Sequence, residues 1–278
     1  MAKSSKKEWW EGVFGEEYLK TYVDSITPAK TKAQVDFIVK NLKLRKGVSI
    51  LDLACGQGRH SIELAKRGYK VTGLDFSKYL INIAKENAKK KRMAADFIQG
   101  DMRNLYFRNK FDAIINIFTS FGYFDKEEDN IKVIKKISRA LKPRGKFLVD
   151  LANPINLLVQ LTPDKQAERK GLLKSVIKDF FNGIRITTSS EFNPETMVWS
   201  MRREWKEKGK KRAYTFNMRS FTLPELKHLF KENGLVVERV WGDFQGSSSQ
   251  ILRGKIREDK PYCFDSPRMI VLARKLSN

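Results

Sequence analysis

The stretch LDLACGQGRHS, residues 51–61, is the feature that most constrains the fold of this chain. Its apolar start is typical of a buried strand, and Gly56 and Gly58 allow a tight turn in which the backbone can approach a ligand. The helix-like residues that follow would offer the free N–H groups of a helix N-terminus. This order of strand, glycine turn and helix predicts a nucleotide-like ligand and leaves its identity open.

Strand-like and helix-like segments alternate around this glycine loop (residues 54–58). Two amphipathic segments, residues 7–23 and 28–44, predict N-terminal helices, the second starting after Thr27 with Pro28 in its first turn. Five strand-like segments then alternate with helical ones, namely VSILDLA, KVTGLDF, DFIQGD, FDAIINIF and KFLVDLA. The alternation predicts a doubly wound α/β fold with a mainly parallel sheet.

The pattern changes after the fifth of these segments. From about residue 172 to residue 222 the chain is strand-like with turn residues between the strands, as in GIRITTSSEF, MVWSMRREW and RAYTFNMRSF. A helix and two strands then return to the α/β pattern. We therefore predict an N-terminal helical lid at residues 1–45, a core at 46–153, an antiparallel β platform at 154–222 and the remainder of the core at 223–278.

Two familiar nucleotide motifs are missing from the glycine loop. A dinucleotide-binding fingerprint needs a third glycine where this chain has Ser61, which weakens the case for an NAD-dependent oxidoreductase. A P-loop needs a Gly-Lys-Ser/Thr ending, and no segment of the chain matches it. The loop therefore argues against an ATPase.

Three acidic residues follow or lie in successive strands and narrow the choice of ligand. Asp52 precedes the glycine loop, where it disfavours a pyrophosphate and suits an ammonium group. Asp75 and Asp101 stand at the ends of the next two predicted strands, and the carboxyl ends of parallel strands meet in one crevice. Asp75 would accept from a ribose diol and Asp101 from an adenine amino group. An adenosine with a cationic, amino-bearing tail is S-adenosylmethionine.

The order of these motifs resembles the class I S-adenosylmethionine-dependent methyltransferases. The resemblance rests on ILDLACGQG, VTGLDFS, IQGDMRNL, FDAIINIFTSFGYF and ALKPRGKFLVDL. It implies a Rossmann-like, seven-stranded sheet with the last strand antiparallel, and S-adenosylmethionine as the cofactor. The insert is similar to the substrate platform of small-molecule N- and O-methyltransferases in this superfamily.

The resemblance also implies roles for individual residues. One group would surround the methionine end of the cofactor: Asp52, Ala54, Gly56 and Gly58. Asp75 and Phe76 would bind the ribose, Asp101 and Met102 the adenine, and Ile117 and Phe118 would form the floor of the pocket. These positions are the cofactor-binding residues that we expect.

An aromatic row on the first predicted helix allows two interpretations. Trp10, Phe14, Tyr18 and Tyr22 recur at a spacing of four residues, which is typical of core packing. The lid of the related enzymes would instead place Tyr22 over the cofactor, where an aromatic face stabilises a sulfonium. Both interpretations remain open at this point.

Methyl transfer needs chiefly alignment of donor and acceptor with water excluded, so no acid or base has to be present. A hydroxyl acceptor would benefit from a base, and His60, Tyr123 and Asp150 are the candidates. His228 lies in a predicted helix and is expected to be a surface or packing residue. Neither Cys55 nor Cys263 is part of a metal-ligand pattern, so no metal site is expected.

The chain is strongly basic, with 55 Lys and Arg against 32 Asp and Glu and a net charge of +23. Such a charge is typical of RNA-binding proteins and also of heat-adapted proteins with ion-rich surfaces. The sequence shows no apolar run long enough for a membrane span and no disulfide framework, so we expect a cytoplasmic protein. It does not identify the oligomeric state.

These observations together predict an S-adenosylmethionine-dependent methyltransferase that acts on a nitrogen or oxygen of a small molecule. An RNA methyltransferase that uses the basic surface is the first alternative. A non-catalytic S-adenosylmethionine-binding regulator is the second.

Overall fold

The structure is a computed structural model that describes residues 13–22, 26–159, 173–181, 183–244, 262–263 and 266–277. The helices are α1 (Glu16–Tyr22), α2 (Pro28–Leu42), α3 (Arg59–Lys66), α4 (Lys78–Lys90), α5 (Glu127–Ala140), α6 (Pro154–Val159) and α7 (Leu223–Glu232). Across the described residues, we find no helix with the length and apolarity that a membrane span requires.

The strands form one sheet of seven strands and one of four. They are β1 (Ser49–Leu53), β2 (Lys70–Asp75), β3 (Asp96–Gln99), β4 (Phe111–Asn116), β5 (Leu141–Ala152), β6 (Leu173–Phe181), β7 (Ile184–Asn193), β8 (Val198–Glu207), β9 (Lys210–Arg219), β10 (Leu235–Trp241) and β11 (Arg268–Lys275). The larger sheet has the order β10-β11-β5-β4-β1-β2-β3, with β1 to β5 parallel and β11 antiparallel to both of its neighbours. The predicted Rossmann-like fold is confirmed.

Side-chain caps fix where several helices begin. The hydroxyl of Thr27 accepts from the backbone N–H of Lys30 at the start of α2. The hydroxyl of Ser77 likewise accepts from the backbone N–H of Leu80 at the start of α4. At α7, Thr222 and Glu225 form a capping box, in which each side chain accepts from the backbone N–H of the other residue. Each of these three helix starts is therefore fixed by local hydrogen bonds.

Helices cover both faces of the larger sheet and bury its core. On one face, α5 and α7 pack Ile134 and Phe230 against Phe147 of β5. On the other face, α2 and α3 pack Ile38 and Leu64 against the neighbouring strands. Because strand side chains alternate between faces, each buried strand serves both clusters and reads as a continuous apolar run.

Two elements start at different residues from those that the sequence predicts. The first helix begins at Glu16, since Val13–Gly15 forms a turn, and the part before residue 13 lies outside the described residues. Strand β5 begins at Leu141 instead of Lys146, and its pairing with β4 shifts in register near Phe111. An irregular pairing tolerates a proline, which has no N–H to donate, within the strand.

The smaller sheet has the order β6-β7-β8-β9, and its first strand is not among those named from the sequence. Strand β6 lies at the edge of this sheet, and two successive residues, Val176 and Ile177, are 63% and 43% exposed. A half-buried strand is identified by strict alternation of apolar and polar residues. Because β6 lies at the edge of the sheet, its sequence does not show this alternation.

The smaller sheet contacts both α1 and the loop that follows β4. Lys20 Nζ of α1 pairs with Glu207 Oε1 at 3.0 Å, and the hydroxyl oxygens of Thr21 and Tyr214 are 2.9 Å apart. The backbone N–H of Arg219 donates to the carbonyl of Gly122 at 2.7 Å. These contacts hold the smaller sheet over the carboxyl ends of the central strands.

Gly122 is predicted to be essential for this arrangement. Its φ is +105°, and an added Cβ would overlap the carbonyl oxygen of Arg219. We expect Gly122→Ala to lower the free energy of unfolding by about 3 kcal/mol, from backbone strain and overpacking together. Gly209→Ala is the control, because its φ is +76° but, in the part of the chain that the structure describes, no atom lies within 4 Å of the added Cβ. Equal losses in urea unfolding would contradict the role of the close contact.

Candidate functional site

Two adjoining cavities lie at the carboxyl ends of β1, β2 and β4. The Asp75 cavity, named for the acid in its wall, has a volume of about 730 Å³, and the Arg59 cavity has about 470 Å³. Six residues line both of them: Tyr18, Ala54, Gly56, Leu80, Phe118 and Ser120. The shared wall makes them two ends of one site.

The two loop glycines have different roles in the structure. Gly56 has a φ of +55° and lines both cavities, and a Cβ at this position would meet no atom of the described residues within 4 Å. Gly58 has a φ of +77°, lines neither cavity, and leaves no room for a Cβ, which would lie 2.8 Å from the ring of Phe97. Gly58 therefore permits the turn and its packing, while Gly56 brings bare backbone to the cavity surface.

Asp75 stands in the cavity wall with its carboxylate oriented by the backbone. Its Oδ2 accepts from the N–H of Gly56 at 2.8 Å and its Oδ1 from the N–H of Ser77 at 2.9 Å. Burial raises the pKa of this carboxyl, and the two backbone hydrogen bonds oppose the rise. Each oxygen keeps a lone pair for a ligand donor. The neighbouring Phe76 also lines this cavity.

Asp101 and Met102 line the Asp75 cavity at the end of β3, as the sequence predicts. The carboxylate of Asp101 is already engaged by Arg103, whose Nη2 lies 2.7 Å from Oδ2 and whose backbone N–H donates to Oδ1 at 2.8 Å. Arg103 also pairs with Asp129 of α5 at 2.9 Å. Asp101 thus fixes the loop after β3 in addition to lining the cavity.

Asp52 lies beneath the glycine loop and lines neither cavity. It is 2% exposed, and its Oδ2 accepts from the hydroxyl of Ser61 at 2.6 Å. Burial raises the pKa of Asp52 to about 6, against the Ser61 hydrogen bond and the charge of Arg59, which lower it. Ser61, which stands where a dinucleotide fingerprint has glycine, therefore serves as the partner of this buried acid.

The floor of the site follows β4. Ile117 lines the Arg59 cavity and Phe118 lines both cavities. Phe118 has a φ of +71°, and its backbone N–H donates to Asp150 Oδ2 at 2.8 Å. Arg268 binds the other oxygen of Asp150 at 2.7 Å, so this ion pair holds the strained turn.

The three candidate bases are not equivalent. His60 lines the Arg59 cavity, its Nε2 is 2.9 Å from Gln34 Oε1, and burial lowers its pKa. Tyr123 lines the Asp75 cavity, and burial raises its pKa. Asp150 lines neither cavity and is occupied by Arg268 and Phe118. His228, by contrast, is exposed on α7.

An aromatic wall from α1 closes the site. The ring centroids of Phe14 and Tyr18 are 5.1 Å apart, those of Tyr18 and Tyr22 are 4.7 Å apart, and those of Tyr22 and Phe118 are 5.8 Å apart. Tyr18 lines both cavities and Tyr22 lines the Arg59 cavity. The row packs internally and also faces the site, and Trp10 lies outside the described residues.

Two arginines near the site were not identified from the sequence. Arg59, the first residue of α3, lines the Arg59 cavity. The guanidinium of Arg203 on β8 lies 4.2 Å from the ring centroid of Tyr22. Because side chains alternate between the two faces of a strand, Arg203 shares one face of β8 with Met201 and Trp205. This alternation in the sequence could have indicated that Arg203 lies on the same face as these residues. Among the described residues, no group of three or more His, Cys, Asp or Glu could hold a metal ion.

Replacement of Asp52 tests its buried state. Between about pH 4 and pH 6, Asp52 keeps its proton in the folded chain, whereas in the unfolded chain, where its pKa is about 4, the proton is lost. The free energy of unfolding therefore falls as the pH rises through this range. Asp52→Asn stays neutral and can still accept from Ser61. We expect it to raise the free energy of unfolding at pH 7 by about 2–3 kcal/mol, and by less at pH 4.5.

Urea unfolding at the two pH values measures this difference. Asp125→Asn, at an exposed position, is the control and should change stability by less than about 0.5 kcal/mol. A variant of Asp52 that is less stable than the natural chain at pH 7 would mean that the ionised carboxylate is favoured in the fold.

Comparison with known proteins agrees with this architecture. A family model described as "Methyltransferase domain" matches residues 50–145. YqeM of Bacillus subtilis (strain 168), which is named as a methyltransferase, is 29% identical over 197 residues, covering 70% of this chain and 76% of that protein. The glycine/sarcosine N-methyltransferase of Aphanothece halophytica is 26% identical over 224 residues, covering 80% and 79%.

A solved structure shares the fold along nearly the whole chain. The S-adenosylmethionine-dependent methyltransferase of Clostridium acetobutylicum ATCC 824 superposes with a TM-score of 0.74 at 18% identity, covering 94% of this chain and 97% of that one. Residues 50–145 thus match a methyltransferase domain, and nearly the whole chain has the fold of an S-adenosylmethionine-dependent methyltransferase, with S-adenosylmethionine as the cofactor.

Proposed function

We propose that this enzyme transfers the methyl group of S-adenosylmethionine to an amine of a small molecule that binds between α1 and the smaller sheet. The observation that carries the proposal is the chemistry of the cavity walls. The walls present aromatic rings and Arg59, but no residue that is ready to accept a proton. Burial lowers the pKa of His60, and Asp150 is bound to Arg268.

The residues at the strand ends fit the cofactor. Asp75 would accept from the ribose hydroxyls with the lone pairs that Gly56 and Ser77 leave free, and Phe76 and Met102 would contact the adenosine. The bare backbone at Gly56 would allow the methionine portion to pass into the Arg59 cavity. Asp52 would act through the position of the loop, since Ser61 already occupies one of its oxygens.

When bound, S-adenosylmethionine supplies a methyl group on a positively charged sulfur. The rings of Tyr18, Tyr22 and Phe118 would surround such a cation and exclude water, and an aromatic face attracts a cation by about 0.5–2 kcal/mol. Phe118 is held in place by the backbone bond to Asp150. The chain would therefore contribute orientation and desolvation more than proton transfer.

The state of the candidate bases favours nitrogen over oxygen as the acceptor. A hydroxyl must lose a proton as it is methylated, whereas a neutral amine can attack first and release its proton afterwards. His60 is hydrogen-bonded to Gln34, and Asp150 is bound to Arg268. Burial raises the pKa of Tyr123, which keeps its hydroxyl protonated. None of the three is prepared to accept a proton from a hydroxyl.

Arg203 favours an acceptor that carries an anionic group. Its guanidinium stacks on Tyr22, and its only hydrogen bond within the described residues is a long one of 3.4 Å to the hydroxyl of Tyr214. Its Nε is buried and has no hydrogen-bond partner among the residues that the structure describes. A carboxylate or phosphate of the acceptor would complete these donors. The glycine/sarcosine N-methyltransferase named above, whose substrates by name are amino acids, supports this choice.

The net charge of +23 favours a second candidate, an RNA methyltransferase. A first experiment separates the candidates by incubating the enzyme and methyl-labelled S-adenosylmethionine with host RNA, protein and small-molecule fractions. Label in a small amine supports the proposal, and label in a hydroxyl compound contradicts the choice of acceptor. Label in RNA supports the second candidate, and cofactor binding without label in any fraction indicates a regulator.

Asp75 is predicted to decide cofactor affinity. Asp75→Ala removes the ribose acceptor and the anchor of Gly56, and we expect the dissociation constant for S-adenosylmethionine to rise at least ~100-fold in calorimetry. Asp112→Ala is the control, because this acid also bridges elements of the sheet, through Ser49 and Lys142, but lines neither cavity. Unchanged affinity in Asp75→Ala would exclude the proposed position of the ribose.

Arg203 is predicted to act on the acceptor alone. Once the labelled acceptor is identified, Arg203→Met should raise its KM ~10- to 100-fold through loss of a charge-assisted hydrogen bond, with cofactor affinity retained. Arg202→Met is the matched control, since the neighbouring Arg202 is exposed and paired with Glu204 at 3.0 Å. Equal KM values in the two variants would exclude an anion site at Arg203.

A further inference from the structure

Lysines and arginines are concentrated at one edge of the larger sheet, where the amino ends of β1 to β5 lie. We infer that this edge is a docking surface for single-stranded RNA, at the opposite end of the strands from the two cavities. The basic edge, as we call it, consists of residues 43–46, 66–70, 89–92, 108–110 and 142–146. It holds the enzyme on an RNA without bringing that RNA to the cavities. The inference does not depend on the identity of the methyl acceptor.

The five segments of the basic edge come together because each one precedes or begins a parallel strand. These strands lie side by side in the order β5-β4-β1-β2-β3, so their amino ends meet at one edge. Neighbouring strands are about 4.8 Å apart, which makes the row about 20 Å wide. The hydroxyl of Tyr69 donates to the carbonyl of Leu44 at 3.3 Å, and the N–H of Gly47 donates to the carbonyl of Gly68 at 2.8 Å. These hydrogen bonds hold the first two segments together.

The basic edge carries cations without matching anions. Each of its segments holds between two and four lysines or arginines, and none of them contains Asp or Glu. Arg67 is paired with a carboxylate at 2.7 Å and Lys142 with another at 2.8 Å. Within the part of the chain that the structure describes, the other cations of the basic edge have no carboxylate partner, and nearly all of them are exposed. Their charge is therefore available to an external anion.

The two ends of the parallel strands differ in charge. The carboxyl ends carry the acids of the site, Asp75 and Asp101 among them. Two acids, Asp96 and Asp112, lie within the first two residues of a strand at the amino ends, and Asp112 is bound to Lys142. A polyanion is therefore attracted to the amino ends of the strands and not to the acids around the cavities.

The helix dipoles do not account for these runs of cations. Helices α2, α3, α4 and α5 all end at the basic edge, and a cation in the last turn of a helix is stabilised by the helix dipole. That effect falls off within the last turn. Residues 43–46 and 142–146 lie beyond the helices that they follow, and residues 108–110 follow no α-helix. The cations thus exceed what the helix ends require.

Lys275 extends the basic edge by one strand, because the end of β11 lies beside the amino end of β5. Its Nζ donates to Asn109 Oδ1 at 3.1 Å and to the carbonyl of Leu141 at 2.8 Å, which are both neutral groups. Burial and then the charge of Arg108 lower the pKa of Lys275. Like charges are crowded here, and the negative charge of a phosphate would reduce their repulsion.

An exposed aromatic ring favours a nucleic acid over other polyanions. The side chain of Tyr106 is 68% exposed, and its ring centroid lies 4.3 Å from that of Phe107. Lys110 Nζ lies 4.5 Å from the same Phe107 centroid, so ring and cation are close neighbours. An exposed ring stacks on an unpaired base while cations bind the phosphates. RNA presents such unpaired bases in its single-stranded segments, whereas an anionic membrane presents charge alone.

Binding of a labelled oligonucleotide tests the inference. The probe is a fluorescent oligoadenylate RNA of about 12 nucleotides, a length typical of such surfaces, and its anisotropy is measured with the full chain. We expect the affinity to fall at least ~100-fold between about 50 and 200 mM KCl, because phosphate contacts release counter-ions. The triple variant Arg45→Gln, Lys90→Gln, Arg108→Gln should bind ~10- to 100-fold more weakly at low salt, with a salt slope smaller by about 2.

The triple variant Lys206→Gln, Lys208→Gln, Lys211→Gln is the matched control. It removes the same charge from exposed positions at the tip of the β8–β9 hairpin, outside the basic edge. Because salt screens distant charges, its RNA affinity should stay within ~3-fold of that of the natural chain. Both triple variants should keep the natural affinity for S-adenosylmethionine, which also shows that they are folded.

A second variant separates stacking from charge. Tyr106→Leu should lower the RNA affinity at least ~5-fold and leave the salt slope unchanged, because it removes a ring and no charge. Tyr79→Leu is its control, since Tyr79 is also exposed, at 42%, but lies at the start of α4 near the carboxyl ends of the strands. This control should bind RNA as the natural chain does.

Four results would overturn the inference. They are no salt-dependent RNA binding by the natural chain, an equal loss of RNA affinity in the two triple variants, binding of phosphatidylserine vesicles in place of the RNA, and transfer of the methyl label to the bound oligonucleotide. The last result would place RNA at the cavities and support an RNA methyltransferase. RNA binding that is lost in the basic-edge variant and kept in the hairpin variant supports the docking surface, whichever acceptor the enzyme methylates.

Discussion

The site depends on the carboxylate of Asp75 at the end of β2. One oxygen accepts from the backbone of Gly56 and the other from that of Ser77, so a single side chain joins the glycine loop to the start of α4. Ser77 in turn donates its hydroxyl to the carbonyl of Phe14 at 2.6 Å, just before α1. The loop, the helix and the aromatic wall therefore take their positions from one buried acid.

Three arginines near the site are used in different ways because their counter-ions differ. Arg268 has a buried partner in Asp150, and the pair holds the turn at Phe118 and Thr119, where both residues have positive φ. Within the described part of the chain, Arg59 and Arg203 each keep a buried nitrogen without a hydrogen-bond partner. A satisfied ion pair fixes structure, whereas an unsatisfied cation at a cavity is suited to bind an anion. Arg268 is thus a structural cation, whereas Arg59 lines a cavity and Arg203 stacks on the ring of Tyr22.

The smaller sheet completes the site because it contacts the same helix that covers the cofactor end. Lys20 and Thr21 of α1 bind Glu207 and Tyr214, while Tyr18 and Tyr22, on the same helix, line the cavities. Any shift of the smaller sheet would therefore move the aromatic wall. An acceptor bound between α1 and the smaller sheet, as proposed, would therefore touch the elements that line the cofactor site.

The sequence by itself determined the fold class, the glycine loop and the acids at the strand ends, because these depend on local periodicity and on strand ends that meet at one edge. The contacts of Asp52, Arg59 and Arg203 were visible only in the tertiary structure. Their partners, Ser61 in α3, Gln34 in α2 and Tyr22 in α1, lie on other elements, and burial sets which charges are compensated. Edge strand β6 lies within the segment predicted to be strand-like from residue 172, but it was not named as a separate strand, because exposure at the sheet edge removes the alternating pattern that local sequence can show.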